Sequence, residues 1–144
     1  MTRVVVDASV AVKWLLPFRS HEADAEQALE LLRGIKAGRA GVLQPPHWLA
    51  EAAAVTARLD PQGAVEAVGL LFALEFPVMG GLDLYQRACH LAVTLDQHLF
   101  DTLYHAVALT QPDTLLVTAD ERYYRKGVNL GGIVRLKDFQ LELK

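Results

Sequence analysis

Two acidic residues come directly after short apolar runs that have the composition of buried β-strands. Asp7 follows VVV near the start of the chain, and Asp120 follows LLVTA near its end. A carboxylate in this position either caps the next helix or points past the strand end, where it can bind a metal ion. The two alternatives require different companion residues. A cap needs none, whereas a metal site needs further ligands.

Two further acids lie in helical segments, and each has two interpretations. The predicted apolar stripe of the helix that contains Glu51 consists of Trp48, Ala52, Val55 and Leu59. Glu51 follows Trp48 by three residues and precedes Val55 by four, so it lies on or beside this stripe. Either its methylene groups pack against the core while its carboxylate reaches water, or its carboxylate faces a cleft. Asp101 opens the helix DTLYHAVAL, where an acid commonly caps free N–H groups, although the same position also aims a carboxylate out of the helix end.

These four carboxylates, brought together at one end of a sheet, would repel one another unless a cation neutralised them or some took up protons. Oxygen ligands without cysteine or several histidines favour Mg²⁺ or Mn²⁺ over zinc. Such a cluster suits phosphodiester hydrolysis, because the metal polarises the phosphate and lowers the pKa of bound water. Thr118, two residues before Asp120, either orients a carboxylate or a metal-bound water, or is simply a strand-favouring residue.

Short strands alternate with helices along the chain, which predicts an α/β fold with a mainly parallel sheet. The predicted strands are 3–7, 41–44, 76–79, 114–118 and 133–136, and the predicted helices are 10–16, 22–37, 47–59, 62–75, 82–95, 99–110 and 121–126. Ser9 is the expected cap of the first helix, and Pro17 its expected end. If the strands before Asp7 and Asp120 are neighbours, the two carboxylates converge at the carboxyl end of the sheet.

The composition indicates one globular domain. The chain has 144 residues, of which 52% are hydrophobic and 22% charged, and its net charge is −3. Because a basic excess is missing, a polyanionic ligand would need a local patch, a bound metal or a partner. Cys89 is the lone cysteine, which fits a reducing cytoplasm. The first apolar run is too short to span a membrane and is interrupted by Asp7 and Lys13, so a cytosolic protein is expected.

Other residues with chemical potential are less distinctive. His105 comes one turn after Asp101 and is either a cleft residue or, more commonly for a lone helical histidine, a packed one. Arg122, Arg125 and Lys126 follow Asp120 and either hold a phosphate backbone or form a solvated helix face. The histidines lack the HExxH spacing, which argues against a zinc hydrolase.

Four segments in chain order, VVDASVAVKWLLP, PPHWLAEAAA, LFDTLYHAVAL and LLVTADERYYRK, resemble the PIN domain over essentially the whole chain. The similarity is greatest to the VapC-type toxin ribonucleases of bacterial and archaeal toxin–antitoxin pairs. It implies an α/β/α sandwich around a mainly parallel sheet of four to five strands, with residues 1–144 forming a single PIN domain. It also implies Mg²⁺-dependent, or Mn²⁺-dependent, hydrolysis of RNA phosphodiester bonds.

The resemblance assigns roles to the acids found above. The catalytic and metal-binding carboxylates of the family fall on Asp7, Glu51, Asp101 and Asp120, and Thr118 is the supporting hydroxyl. Asp7 and Asp101 are the principal metal ligands that it implies. The family further implies a homodimer and a small VapB-like antitoxin whose C-terminal segment blocks the RNA groove.

Two rival interpretations belong to other classes. A catalytically inert PIN-like module would bind RNA or a protein without cutting, and the presence of all four acids argues against it. An aspartyl-phosphate phosphatase or receiver domain also uses acids at strand ends. The phosphatase requires a second acid two residues after the first, where this chain has Ser9.

Overall fold

The computed structural model describes residues 2–15 and 24–141, and these contain a four-stranded parallel sheet. The strands are β1 (Arg3–Val6), β2 (Gly41–Val42), β3 (Thr114–Thr118) and β4 (Ile133–Arg135), in the spatial order β2-β1-β3-β4. This arrangement confirms the predicted α/β fold. The predicted strand at 76–79 is wrong, because only a single parallel bridge joins Val78 to Gln44.

Seven α-helices connect the strands within the described residues. They are α1 (Ala8–Leu15), α2 (Ala25–Lys36), α3 (Trp48–Leu59), α4 (Ala64–Phe72), α5 (Leu82–Leu95), α6 (Leu99–Thr110) and α7 (Glu121–Gly127). The predicted bounds of α5, α6 and β3 are confirmed. The expected helix end at Pro17 lies outside the described residues. None of the helices within 2–15 and 24–141 combines the length and the apolar character needed to cross a bilayer.

The central strands are covered on both faces. Val4, Val5 and Val6 of β1 are each at most 1% exposed, although successive side chains of a strand point to opposite faces. Helix α6 packs against β1 and β3, and α5 packs on α6, while α1 contacts β3 together with α2 and α3. The continuous valine run therefore marks a strand buried between helices, as in the expected sandwich.

Strands β1 and β3 are direct neighbours, which is the arrangement on which the predicted convergence of Asp7 and Asp120 depends. Val6 pairs with Val117 in a parallel register, so the residues that follow both strands emerge at the same edge of the sheet. Asp7, Thr118 and Asp120 are thereby brought to that edge.

Ser9 is not the cap of the first helix, contrary to the prediction. Helix α1 begins at Ala8, and the carbonyl of Asp7 accepts hydrogen bonds from the N–H groups of Val10 and Ala11, both at 3.1 Å. The chain turns from β1 into α1 with Asp7 alone between them, so Ser9 falls inside the first turn. Its hydroxyl donates to the Asp7 carboxylate and accepts from the N–H of Ala119 at 2.9 Å.

The buried stripe of α3 also differs from the predicted one. Trp48, Ala52 and Thr56 are buried, whereas Leu59 is 38% exposed. Thr56 tolerates burial because its hydroxyl donates to the Ala52 carbonyl at 2.8 Å, which leaves no polar group unpaired. The buried residues of α3 are therefore spaced four apart, and Glu51, one position before Ala52, lies at the edge of this buried stripe.

Candidate metal centre

The four predicted acids line one cleft at the carboxyl ends of β1 and β3. The cleft has a volume of about 460 Å³ and is lined by Asp7, Ala8, Ser9, Glu51, Ala54, Val55, Arg58, Asp101 and Asp120. Its carboxylates come from four places in the fold: the end of β1, helix α3, the first turn of α6 and the residue before α7. The tertiary structure thus joins acids that are far apart in the chain.

Asp7 lies at the base of this arrangement and is held by two hydroxyl groups. Ser9 donates to one of its carboxylate oxygens, and Thr118 donates to the other at 2.5 Å. Burial raises the pKa of Asp7 to about 7, and the charges of Asp120 and Asp101 act in the same direction, while the two hydroxyl hydrogen bonds partly oppose them. Two neutral donors thus orient the carboxylate without supplying a positive charge.

Thr118 connects two of the acids through its hydroxyl group. It is completely buried, and its oxygen donates to Asp7 while accepting from the N–H of Asp120 at 3.0 Å. Asp120 in turn accepts from the N–H of Tyr123 at 3.0 Å and so caps α7. The capping and cleft interpretations of Asp120 therefore both hold, because one carboxylate oxygen makes the cap while the residue lines the cleft.

Asp101 is not the cap of its helix. His98 occupies that position, and its Nδ1 accepts from the N–H of Phe100 at 3.1 Å. Asp101 is the third residue of α6, and its carboxylate accepts from the side-chain amide of Gln97 at 2.7 Å. The helix terminus is satisfied by another residue, so the Asp101 carboxylate faces the cleft.

Glu51 is half-buried on α3, and its carboxylate accepts from the hydroxyl of Tyr104 at 2.9 Å. Burial raises the pKa of Glu51, the Tyr104 hydrogen bond lowers it, and the charge of Asp101 raises it. Of the two interpretations of Glu51, the structure supports the cleft position, because a neutral donor from the neighbouring helix α6 points at the acid.

Gln44 is a positioning residue that sequence reasoning missed. It is completely buried, and its side-chain amide pairs with both backbone groups of Val6: the Val6 N–H donates to Oε1, and Nε2 donates to the Val6 carbonyl, each at 2.8 Å. The amide therefore continues the pairing of β1 up to the residue before Asp7. The available signal is a glutamine that ends an apolar run at the point where two prolines stop the strand.

The basic and histidine candidates lie elsewhere. His105 is completely buried, with Nδ1 2.9 Å from the Tyr123 hydroxyl and Nε2 2.7 Å from the Gly131 carbonyl, so it is a packed core residue. Lys126 donates to the Asp96 carbonyl at 2.7 Å. Arg122, Arg125 and Lys126 are not among the residues that line the cleft. Arg58, which the sequence did not single out, does line it.

The donor set suits a hard divalent cation. Carboxylate oxygens are the ligands that Mg²⁺ and Mn²⁺ prefer. Burial, with a smaller contribution from the neighbouring acids, raises the pKa of Asp7 and Glu51, and a bound cation would relieve this cost of holding the carboxylates charged. Within residues 2–15 and 24–141, no three histidine, cysteine, aspartate or glutamate side chains already form a group that could hold a metal ion. Mg²⁺ commonly keeps several waters and uses one or two carboxylates with substrate phosphates, so the residues fit that mode of binding.

Comparisons with known proteins agree with the fold. The family model described as the PIN domain matches residues 4–129. Among solved structures, the PAE2754 protein of Pyrobaculum aerophilum is similar in fold, with a TM-score of 0.63 and 21% sequence identity over 94% of this chain and 90% of that chain. No curated protein sequence matches.

Proposed function

The chain belongs to the PIN domain family, and from this premise we propose that it is a Mg²⁺- or Mn²⁺-dependent endoribonuclease that hydrolyses RNA phosphodiester bonds. PIN domains are generally nucleases, so nuclease activity is the general function of the fold. The observation that carries the more specific proposal is the convergence of Asp7, Glu51, Asp101 and Asp120 on one cleft.

The chain's own residues hold these carboxylates in place for catalysis. By resemblance to the family, Asp7 and Asp101 would be the principal ligands for the cation, and Glu51 and Asp120 line the cleft beside them. When bound, the cation polarises the phosphate and lowers the pKa of the attacking water.

Each of three acids is oriented by an uncharged donor: Thr118 for Asp7, Gln97 for Asp101 and Tyr104 for Glu51. Because these donors fix direction without cancelling charge, the cleft keeps its affinity for a cation.

The direct test is cleavage of a panel of single-stranded and structured RNAs by the purified chain. We expect cleavage with Mg²⁺ or Mn²⁺, its loss in EDTA, and its return when metal is added in excess. Cleavage that persists in EDTA would contradict the metal dependence. RNA that binds but stays intact with every metal would favour the inert module instead.

Arg58 supports an anionic substrate. It lies on α3 seven residues after Glu51, two turns along the same helix face, and it is the one cationic side chain among the residues that line the cleft. A cleft of four carboxylates repels RNA, so a positive charge at its rim is needed to hold the phosphate backbone. We assign Arg58 to a backbone phosphate next to the cleaved one.

Replacing Arg58 with alanine is expected to raise the KM for RNA about fivefold or more, while kcat stays within about twofold, because a contact to the backbone serves binding alone. The slope of log KM against log salt concentration should fall by about one. Arg87→Ala on α5 is the matched control, since Arg87 is exposed and does not line the cleft. An unchanged KM and salt slope in Arg58→Ala would contradict the assignment.

Two protein partners complete the proposal. Helix α4 exposes Val65 (88%), Leu70 (61%) and Phe72 (70%), and Glu66 is its one charged residue, so its outer face lacks the polar cover of a solvated helix. A second copy of the chain covers this face and extends the RNA groove. Light scattering of the purified chain tests whether it forms this dimer.

A small VapB-like antitoxin blocks the same groove in the cytoplasm, which makes the chain the toxin of a pair.

A further inference from the structure

The ring of Phe100 is held at the surface beside the acid cleft, on the residue immediately before Asp101. It is 48% exposed. Histidine side chains fix both backbone polar groups of this residue: its N–H donates to Nδ1 of His98 at 3.1 Å, and Nε2 of His47 donates to its carbonyl at 2.8 Å. The backbone that carries the exposed ring is therefore held in place and is not a frayed helix end.

Three rings form what we call the aromatic platform: His47, His98 and Phe100. The ring centre of Phe100 lies 5.2 Å from that of His47 and 4.8 Å from that of His98. The His47 ring also lies 4.7 Å from that of Tyr104, whose hydroxyl holds Glu51. The platform does not itself line the cleft, but it contacts Tyr104, which holds Glu51, and Phe100 directly precedes Asp101 in the chain.

His47 adds an unused polar atom to this platform. Because a carbonyl can only accept, Nε2 of His47 carries the proton, and Nδ1 is left as an acceptor. This Nδ1 is buried and has no hydrogen-bond partner among the described residues. The platform therefore combines an exposed apolar ring face with a buried acceptor that has no partner among the described residues.

We propose that the aromatic platform binds a nucleobase of the RNA, next to the cleaved phosphodiester, by stacking it on Phe100. This inference rests on the proposed function and identifies how the substrate is held beside the acids. Single-stranded RNA is recognised largely by stacking of its bases on phenylalanine, tyrosine and histidine rings, and every base has a face to offer. The platform contains no acid or lysine, so it suits a base better than a phosphate.

The test uses a fluorescently labelled single-stranded RNA decamer and a set of decamers that each lack one base. Binding is measured by anisotropy in Ca²⁺, which takes the same carboxylate oxygens, and the samples are run on a denaturing gel so that cleavage is recorded separately. For the wild-type chain, removal of one particular base should raise Kd about fivefold or more. Phe100→Ala should abolish that difference, and Phe100→Trp should retain it.

Tyr85→Ala is the matched control, because Tyr85 is 42% exposed on α5 and outside the platform, and it should retain the wild-type difference. The proposal is overturned if Phe100→Ala keeps the difference, if no base matters to the wild type, or if Phe100→Ala loses only self-association by light scattering. RNA that stacks on Phe100 but is not cut with Mn²⁺ would support this inference and refute the proposed function. RNA that is cut with Mn²⁺ while Phe100→Ala keeps the base-dependent difference would support the proposed function and refute this inference.

Discussion

Asp101→Asn is expected to lower the rate of metal-dependent RNA cleavage by roughly a hundred- to a thousandfold, which corresponds to about 3–4 kcal/mol of lost transition-state stabilisation. The amide keeps the size of the side chain but removes the charge that holds the cation. Asp101 is not the helix cap, and its helix is capped by His98, so the fold should survive the change. The measurement is single-turnover cleavage of a fixed RNA at saturating Mn²⁺.

Asp83→Asn provides the control for this prediction, because Asp83 is exposed in the first turn of α5 and does not line the cleft. It carries the same chemical change at the start of another helix and should keep the wild-type rate. A rate for Asp101→Asn within about threefold of the wild type would remove Asp101 from the catalytic site. Equal loss in both variants would instead point to a general effect of charge.

Asp7→Asn is expected to stabilise the metal-free protein at pH 8 while it abolishes cleavage. The pKa of Asp7 is about 7 in the folded chain, against an ordinary value of 3.8, because burial disfavours the charged carboxylate. The folded state therefore binds more protons than the unfolded state between these values, and stability falls as the pH rises from about 4 to about 7. Above pH 7 the loss is complete and amounts to about 4 kcal/mol. Asparagine stays neutral and avoids this loss.

The measurement is the free energy of unfolding of wild type and Asp7→Asn, in EDTA, at several pH values. The free energy of unfolding of the variant, relative to that of the wild type, should increase from pH 4 to pH 7 and then stay constant. Mn²⁺ should raise the stability of the wild type and have much less effect on the variant, because a ligand that binds the folded state stabilises it. A difference that does not change with pH, or equal stabilisation by Mn²⁺, would contradict the role assigned to Asp7.

The local elements of this protein were largely predictable from its sequence. The valine run of β1, the bounds of α5 and α6, and the strand before Asp120 depend on residue patterns over a few positions, which a single sequence displays. The cap at Ser9 and the strand at 76–79 were wrong, because a helix start and a sheet edge depend on how abruptly the chain turns and on which neighbour is available.

The residues of the site likewise fall into those that the sequence could predict and those that it could not. The acids could be named from the sequence, since carboxylates stand out beside apolar strands and stripes. Their supporting donors could not, because those contacts join distant parts of the chain: Gln44 reaches Val6 across 38 positions, and Tyr104 reaches Glu51 across 53. The position of Gln44 before two prolines marks where a strand ends, but it does not reveal which strand the side chain pairs with, and Tyr104 carries no local signal of its contact.

By itself the sequence determined which acids are the candidates, because carboxylates stand out at the ends of apolar strands, and it favoured a hard cation as their ligand because matching cysteines and histidines are missing. Only the tertiary structure decided how the site is built. The parallel pairing of β1 with β3 brings Thr118 to Asp7 across 111 positions, and the contact between α3 and α6 joins Tyr104 to Glu51, while Arg58 of α3 lines the cleft with the acids. Orientation and substrate contact depend on contacts between elements, and these form only when the chain is packed.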